Sequence, residues 1–443
     1  MPVCGPSESS KNPRGKNQSE TGFIILGVVR VTFDHDIKRV GILFSGGPAP
    51  AANAVISAAV LNFLNSGISA YGFLDGYENL ERYTPERPLV EGEHYLCMRR
   101  NDVSQIRNRK DIVLRTARAN PGKKIASFDD LGDPECNAKL RAVYSALDSL
   151  GIDALVSLGG DDTLKTANYL YRMQEVLPDL RRLAVVHLPK TIDNDYFGID
   201  WTFGFFSAAH FAATEIRNLG ADARSTQVWY VLEIMGRKAG WLTYASGIAG
   251  EATRMLSVED FDGEFDVRAT AEEMIDLVLT REHDGRRHGI VCVAEGLADL
   301  LPDEQRPQDV DEHGNIMLGS AHVGKMLAEE MERVYAERTG TDVKVRHKQI
   351  GYEARCAEPS AFDVLLGTQL GVGAHRAIVE ERLTGHMVSV EKQLELKYVP
   401  FGELIDPDTL KTRVRLIERD SDLYRLARSL EYQKTEHPEP ECP

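Results

Sequence analysis

Ala154-Leu155-Val156-Ser157-Leu158-Gly159-Gly160-Asp161-Asp162-Thr163 is the stretch whose reading decides the fold. Its short apolar run reads as a buried strand, the two glycines turn the chain, and a helical period begins at Leu164 and runs to Glu175. The same order recurs upstream, where Val40 to Phe44 leads through Ser45-Gly46-Gly47-Pro48-Ala49-Pro50 into a helical stretch from Ala52 to Leu64. Downstream, Leu183 to Leu188 runs into Pro189-Lys190-Thr191-Ile192-Asp193-Asn194-Asp195. Val228 to Ile234 and Ile290 to Ala294 add strands, and 137–150, 268–280 and 321–337 add helices. Alternation of this kind predicts an α/β protein with parallel sheets covered by helices on both faces.

Ligands of such sheets bind beyond the carboxyl ends of the strands, and all three polar loops lie there. Gly46 and Gly47 precede a helix expected to open near Pro50, so backbone amides and the positive helix end can face an anion. A plain tight turn is the bland alternative for the same glycines. The loop is neither a Walker A sequence nor a GxGxxG fingerprint, which weakens P-loop and dinucleotide readings. Asp161 and Asp162 suit either capping of the next helix or a Mg²⁺ site completed by substrate phosphates. Asp193 as proton acceptor and Lys190 as a cation beside the transferred group complete what phosphoryl transfer needs.

The 443 residues, 42% of them hydrophobic, can bury a large core in two or three lobes. A net charge of −16 argues against a general nucleic-acid binder, because phosphate backbones are held by clustered lysine and arginine. Cys4, Cys97, Cys136, Cys292, Cys356 and Cys442 form no CxxC pair and no cysteine-histidine cluster, as expected of reduced cytoplasmic thiols. The apolar run Phe23 to Val29 is too short to span a bilayer and follows Glu20 rather than a basic region, so neither a membrane anchor nor a signal peptide is expected. Residues 4–20 and 434–443 are polar and proline-rich, with both ends expected to be loose.

The GGDDT and PKTIDND segments resemble those of the phosphofructokinase family, and Asp162 together with Lys190 resembles its pyrophosphate-dependent branch. Met235-Gly236-Arg237, Ala294-Glu295-Gly296 and Gly351-Tyr352-Glu353-Ala354-Arg355, followed by Pro359 and Phe362-Asp363, are similar to the family's sugar-phosphate elements. The ordered matches run from about residue 39 to 380.

What the resemblance implies is specific. The fold would be two Rossmann-like three-layer lobes with an active-site cleft between them. Residues 39–200 would form the lobe for diphosphate and Mg²⁺, and 201–350 the fructose 6-phosphate lobe. An extension over 1–38 would precede them, and 351–443 would cross back over both, with a loose tail from about 434. Asp193 would accept the proton of the sugar 1-hydroxyl, with Thr191 and Ile192 beside the substrate. Asp161 would hold Mg²⁺. Gly46, Gly47 and Arg118, the last within Thr116-Ala117-Arg118-Ala119-Asn120-Pro121, would contact the phosphoryl donor. Met235, Gly236, Arg237, Glu295, Arg346, Tyr352 and Arg355 would hold fructose 6-phosphate. Singly, each arginine is as well read as a surface cation, Met235 as core, Glu295 as a cap and Asp195 as a turn former.

ATP-using members carry small residues at the positions of Asp162 and Lys190. The Asp162 carboxylate would therefore fill the space of a nucleotide phosphate, and Lys190 would steady diphosphate. The readings carried forward are a reversible diphosphate-dependent phosphotransferase, an ATP-dependent or dual-donor kinase on the same scaffold, and a non-catalytic sugar-phosphate sensor. A homodimer or homotetramer in the cytoplasm is the implied assembly. Two departures stand out. Ala51 replaces the last glycine of GGPAPG, and the strand before Met235 lacks an arginine that many bacterial ATP-dependent members carry.

Overall fold

The computed structural model describes residues 32–306 and 318–432. The expectations for residues 4–20, for the tail from 434 and for Cys4 and Cys442 lie outside the described residues. In chain order the strands are β1 (Arg39–Ser45), β2 (Ser69–Phe73), β3 (Tyr95–Cys97), β4 (Ala154–Gly159), β5 (Ala184–Pro189), β6 (Trp229–Ile234), β7 (Arg254–Leu256), β8 (Gly289–Ala294), β9 (Val345–Ile350), β10 (His386–Glu391) and β11 (Glu395–Pro400). The helices are α1 (Ala52–Asn65), α2 (Arg100–Val103), α3 (Ala138–Ser149), α4 (Asp161–Val176), α5 (Phe205–Thr226), α6 (Trp241–Gly250), α7 (Val267–His283), α8 (Val323–Thr339), α9 (Ala361–His375), α10 (Phe401–Leu404) and α11 (Asp422–Leu430).

Seven strands make the first sheet, in the order β11-β10-β5-β4-β1-β2-β3, and four make the second, in the order β7-β8-β6-β9. Pairing is parallel throughout except at the two edges of the larger sheet, where β3 and β11 run antiparallel to their neighbours. Every residue of β4 and β5 is buried, so these strands read as continuous apolar runs, as a sheet covered on both faces requires. Helices α1 and α9 pack together over this sheet, and α3 and α4 form a separate pair over it. The α1–α9 contact is close because Gly371 has no side chain, since a Cβ there would lie 2.4 Å from Val55 O.

The second sheet alternates its faces residue by residue. Trp229 and Val231 enter a core with Val278, Leu327 and Met331 of α7 and α8, whereas Tyr230, Leu232 and Ile234 join the core that continues from the first sheet. That sharing seats the two sheets in one body with their carboxyl ends within reach of each other. After α9 the chain returns to the first sheet, where β10 pairs in parallel with β5 and β11 forms the edge. Helix α11 then packs on α6 beside the second sheet.

Candidate active site

The register of the first sheet brings the three loops side by side. Ser45 pairs with Gly159 and Gly159 with Pro189, so the loops after β1, β4 and β5 leave the sheet at one level. Gly46 takes φ 88°, a conformation open to glycine, while its N–H donates to Ala117 O at 2.9 Å and its carbonyl accepts from Thr116 Oγ1. These bonds fasten the Thr116–Pro121 stretch, and with it Arg118, to the glycine loop. Helix α1 begins at Ala52 with no side-chain cap and no acidic residue in its first turn, leaving its positive end to the loop.

Lys190 is the centre of this cradle. It is 7% exposed, its N–H donates to Gly159 O at 2.9 Å, and its ammonium stands between the two glycine loops. A Cβ on Gly46 would lie 3.4 Å from Nζ and one on Gly160 would lie 3.9 Å away. Burial above all, then the repulsion of Arg355, pulls the Lys190 ammonium down to about 8, against the attraction of Asp193. Gly47 meets the other lobe, where a Cβ would come within 2.7 Å of Arg355 Nη1. The Arg355 guanidinium in turn lies 5.1 Å from the ring centre of Tyr352, which is 67% exposed.

Asp161 and Asp162 open α4, and neither side chain caps it. Their charges still suit the first turn. Asp162 pairs with Lys165 at 2.6 Å, and its carboxylate is half-exposed. Asp161 reaches the second lobe, where its Oδ2 accepts from Lys238 Nζ at 2.7 Å. Lys238 follows Arg237 in the loop after β6 and is a site residue that sequence reasoning missed. The available signal was a second cation at a strand end.

The Asp193 loop is folded on itself. Asp193 N–H donates to Thr191 Oγ1 at 3.0 Å, and Thr191 O accepts from Thr202 Oγ1 at 2.8 Å. Ile192 is buried beneath. Asp195 is partly buried, and desolvation together with the charges of Asp193 and Asp161 pushes its carboxyl up to about 7. Behind it, the Tyr196 hydroxyl bonds His187 Nε2 and Gly159 O. Burial pushes His187 down to about 3, so this prop is a neutral imidazole.

In the second sheet Gly236 takes φ 141°, and its carbonyl accepts from Gly296 N–H at 3.0 Å, which ties the loops after β6 and β8 together. Met235 is buried, and its N–H bonds Ile350 O at the end of β9. Glu295 stands in the field of Asp193, Glu233, Arg355 and Arg237, and burial pushes it up to about 7. The field brings Asp193, Glu295, Arg237 and Arg355 together across the lobes.

Arg346 is not brought to this site. It pairs in register with Tyr230, at the amino end of β6, whereas Met235 follows the carboxyl end. Four residues along the strand separate Arg346 from Ile350, about 13 Å at the strand rise. Its guanidinium bonds Asp222 Oδ2 at 2.7 Å and the Tyr230 hydroxyl at 2.8 Å instead.

Among the described residues no three His, Cys, Asp or Glu side chains form a metal cage. The converging charges of Asp161, Asp193 and Asp195 nevertheless fit Mg²⁺, which is held through one or two carboxylates plus substrate phosphates rather than by an all-protein cage. No helix among the described residues is long and apolar enough to cross a membrane.

The sequence model of a family named Phosphofructokinase matches residues 39–378. A pyrophosphate–fructose 6-phosphate 1-phosphotransferase of Thermotoga maritima is 34% identical over 418 residues, covering 91% of this chain and 93% of its own. An ATP-dependent 6-phosphofructokinase of Chloroflexus aggregans is 32% identical over 393 residues, covering 89% and 96%. Among solved structures, the pyrophosphate-dependent phosphofructokinase of Nitrosospira multiformis is 17% identical with a TM-score of 0.62, covers 91% of this chain and 94% of its own, and shares the fold. With loops of matching order converging on one cleft and a family model spanning most of its length, this chain belongs to the phosphofructokinase family.

Proposed function

We propose that the protein transfers a phosphoryl group from diphosphate to the 1-hydroxyl of D-fructose 6-phosphate, reversibly, giving fructose 1,6-bisphosphate and phosphate. The observation that carries the donor assignment is the buried Lys190 ammonium between the Gly46 and Gly160 loops, with Asp162 at the adjoining helix start. A fixed cation in that cradle suits a small, dense anion. The Asp162 carboxylate adds negative charge where a nucleotide would have to extend, a repulsive element against the longer donor.

The proposed roles are these. Gly46, Gly47 and Arg118 line the donor side, and Lys190 stabilises charge developing on the transferred group. Asp193 accepts the proton from the attacking hydroxyl, and its loop carries Thr191 beside it. Arg237 and Arg355 hold the sugar phosphate, with Met235, Gly236 and Tyr352 shaping the pocket. Glu295 takes a sugar hydroxyl as acceptor when ionised. Mg²⁺ held by Asp161 with Asp195 would neutralise donor phosphate charge. With Asp161 engaged in that way, Lys238 would turn from Asp161 to pair with substrate phosphate.

A coupled assay with fructose 6-phosphate and Mg²⁺ tests the reading by comparing diphosphate with ATP. Turnover with diphosphate is expected to exceed that with ATP, and Asp162→Gly, alone or with Lys190→Gly, is expected to lower it and to permit ATP use. A wild-type preference for ATP would overturn the donor assignment and favour an ATP-dependent activity like that for which the Chloroflexus relative is named. Tight sugar-phosphate binding without turnover on either donor would instead indicate a sensor.

A further inference from the structure

The Asp193 loop is held from a part of the chain far along in sequence. Asn194 takes φ 55°, the left-handed region, with its buried side chain accepting from Thr202 N–H at 2.9 Å. The carbonyls of Asn194, Asp195 and Asp200 are all engaged by one residue of the C-terminal segment. Arg415 Nη2 donates to Asn194 O and to Asp200 O, each at 2.8 Å, and Arg415 N–H donates to Asp195 O at 2.9 Å. Tyr196 and Val414 add an antiparallel bridge alongside.

The opposite side of Arg415 belongs to the second lobe. Its guanidinium lies 4.3 Å from the ring centre of Trp241, and Trp241 Nε1 donates to Arg415 O at 2.8 Å. Trp241 opens α6 directly after the loop that carries Arg237 and Lys238. Two residues further on, Ile417 N–H donates to Glu259 Oε1 at 3.1 Å, a carboxylate that also accepts from Gly240 N–H. One short segment thus grips the base-bearing loop of the first lobe and the phosphate-binding loop of the second. A bound arginine forks between carbonyls in a fixed geometry, and its stacking on Trp241 restricts the rest of its freedom.

We propose that Arg415 is a positioning residue that sets the separation between the Asp193 loop and the Arg237–Lys238 loop, and so the distance between the base and the bound sugar phosphate. The proposal rests on the phosphotransfer reading above for its kinetic consequence, though not for its mechanical one. A displacement of about 1 Å at a reacting group costs about 100-fold in rate.

The test measures kcat and KM for fructose 6-phosphate, with whichever donor the wild type uses, in Arg415→Ala and Arg415→Lys. Hydrogen–deuterium exchange over residues 190–204 and 236–241 accompanies it. In Arg415→Ala, kcat is expected to fall about 100-fold while KM moves by less than about threefold, with exchange rising in both loops together. Arg415→Lys, which retains a donor for the carbonyls, is expected to recover part of the lost kcat. Should the alanine variant fold poorly, Trp241→Phe keeps the stacked ring, removes the N–H bonded to Arg415 O and should lower kcat in the same sense. The proposal is overturned if kcat per folded molecule stays near the wild-type value in these variants, if only KM changes, or if exchange rises in one loop alone. A wild type inactive with both donors would sink the phosphotransfer reading, and the joint or separate rise in exchange would then decide the role of Arg415.

Discussion

At the scale of single residues, the glycine-loop cradle turns on a lysine that its surroundings discourage from being charged. Burial and Arg355 bring Lys190 down to about 8 from an ordinary 10.5, so its ammonium is present below that pH and lost as pH rises through it. The value of kcat/KM for diphosphate, which reports the free enzyme, should therefore fall above about pH 8. Bound diphosphate favours the ammonium, so the matching limb of kcat should lie at higher pH. A flat kcat/KM profile up to pH ~9.5 would remove Lys190 from this role. Stability runs the other way, because between about 8 and 10.5 the unfolded chain binds the extra proton and Lys190 becomes less costly to bury as pH rises. Asp193→Asn should lower kcat by about 10²–10⁴-fold while leaving sugar-phosphate binding largely intact, as titration calorimetry can measure. The types of these residues were legible because each loop follows a strand. The ion pair of Asp161 with Lys238 was not, because it depends on how two lobes face each other.

At the scale of elements, the strand-loop-helix units read well from their periodicity. The stretch from Ala154 to Leu158 became β4, and α1 began at Ala52, near the expected Pro50. The departure at Ala51 now has a physical account. Ala51 sits at φ 65°, ψ 9° as the residue before α1 and is buried, so an L side chain occupies a left-handed position that glycine would take without strain. The left-handed conformation costs a non-glycine residue about 1–2 kcal/mol, partly offset by the lower backbone entropy of alanine in the unfolded chain. Ala51→Gly should accordingly stabilise the protein by up to about 1 kcal/mol, read as a higher midpoint in denaturant. An unchanged or lower midpoint would mean that the buried methyl contributes more than the strain removes. Helix α5 was harder to read, since Ala208, Ala209, Ala212, Ala213 and Gly220 blur its apolar face. Helix α6 packs close beside it because Gly250 has no side chain, since a Cβ there would lie 2.7 Å from Ile216.

At the scale of the whole molecule, the last part of the chain completes the first sheet. Met387, Val388, Val390, Val399, Phe401 and Leu404 are all buried there, and β10 covers the flank of β5. At about 1.5–3 kcal/mol per buried apolar side chain, their removal matches a typical net stability of about 5–15 kcal/mol. A chain ending at Glu380 should therefore fail to give a cooperative unfolding transition, whether or not its site residues are present. A soluble truncated chain with a sharp transition near that of the full chain would contradict this. The same crossing segment explains why Arg415 escaped sequence reasoning, because nothing near it signals a loop so distant in the chain.

The sequence by itself determined the local units: which runs are strands, which loops stand at their carboxyl ends, and which of those loops carry carboxylates, glycines and cations. Those properties follow from side-chain period and from backbone freedom over a few residues, so they are local. Only the tertiary structure decided that Lys190 stands buried between two glycine loops, that Arg346 lies at the far end of its strand, and that Asp161 and Arg415 each reach across to the second lobe. Those facts depend on register and on the shared core beneath the two sheets, which join residues far apart in sequence.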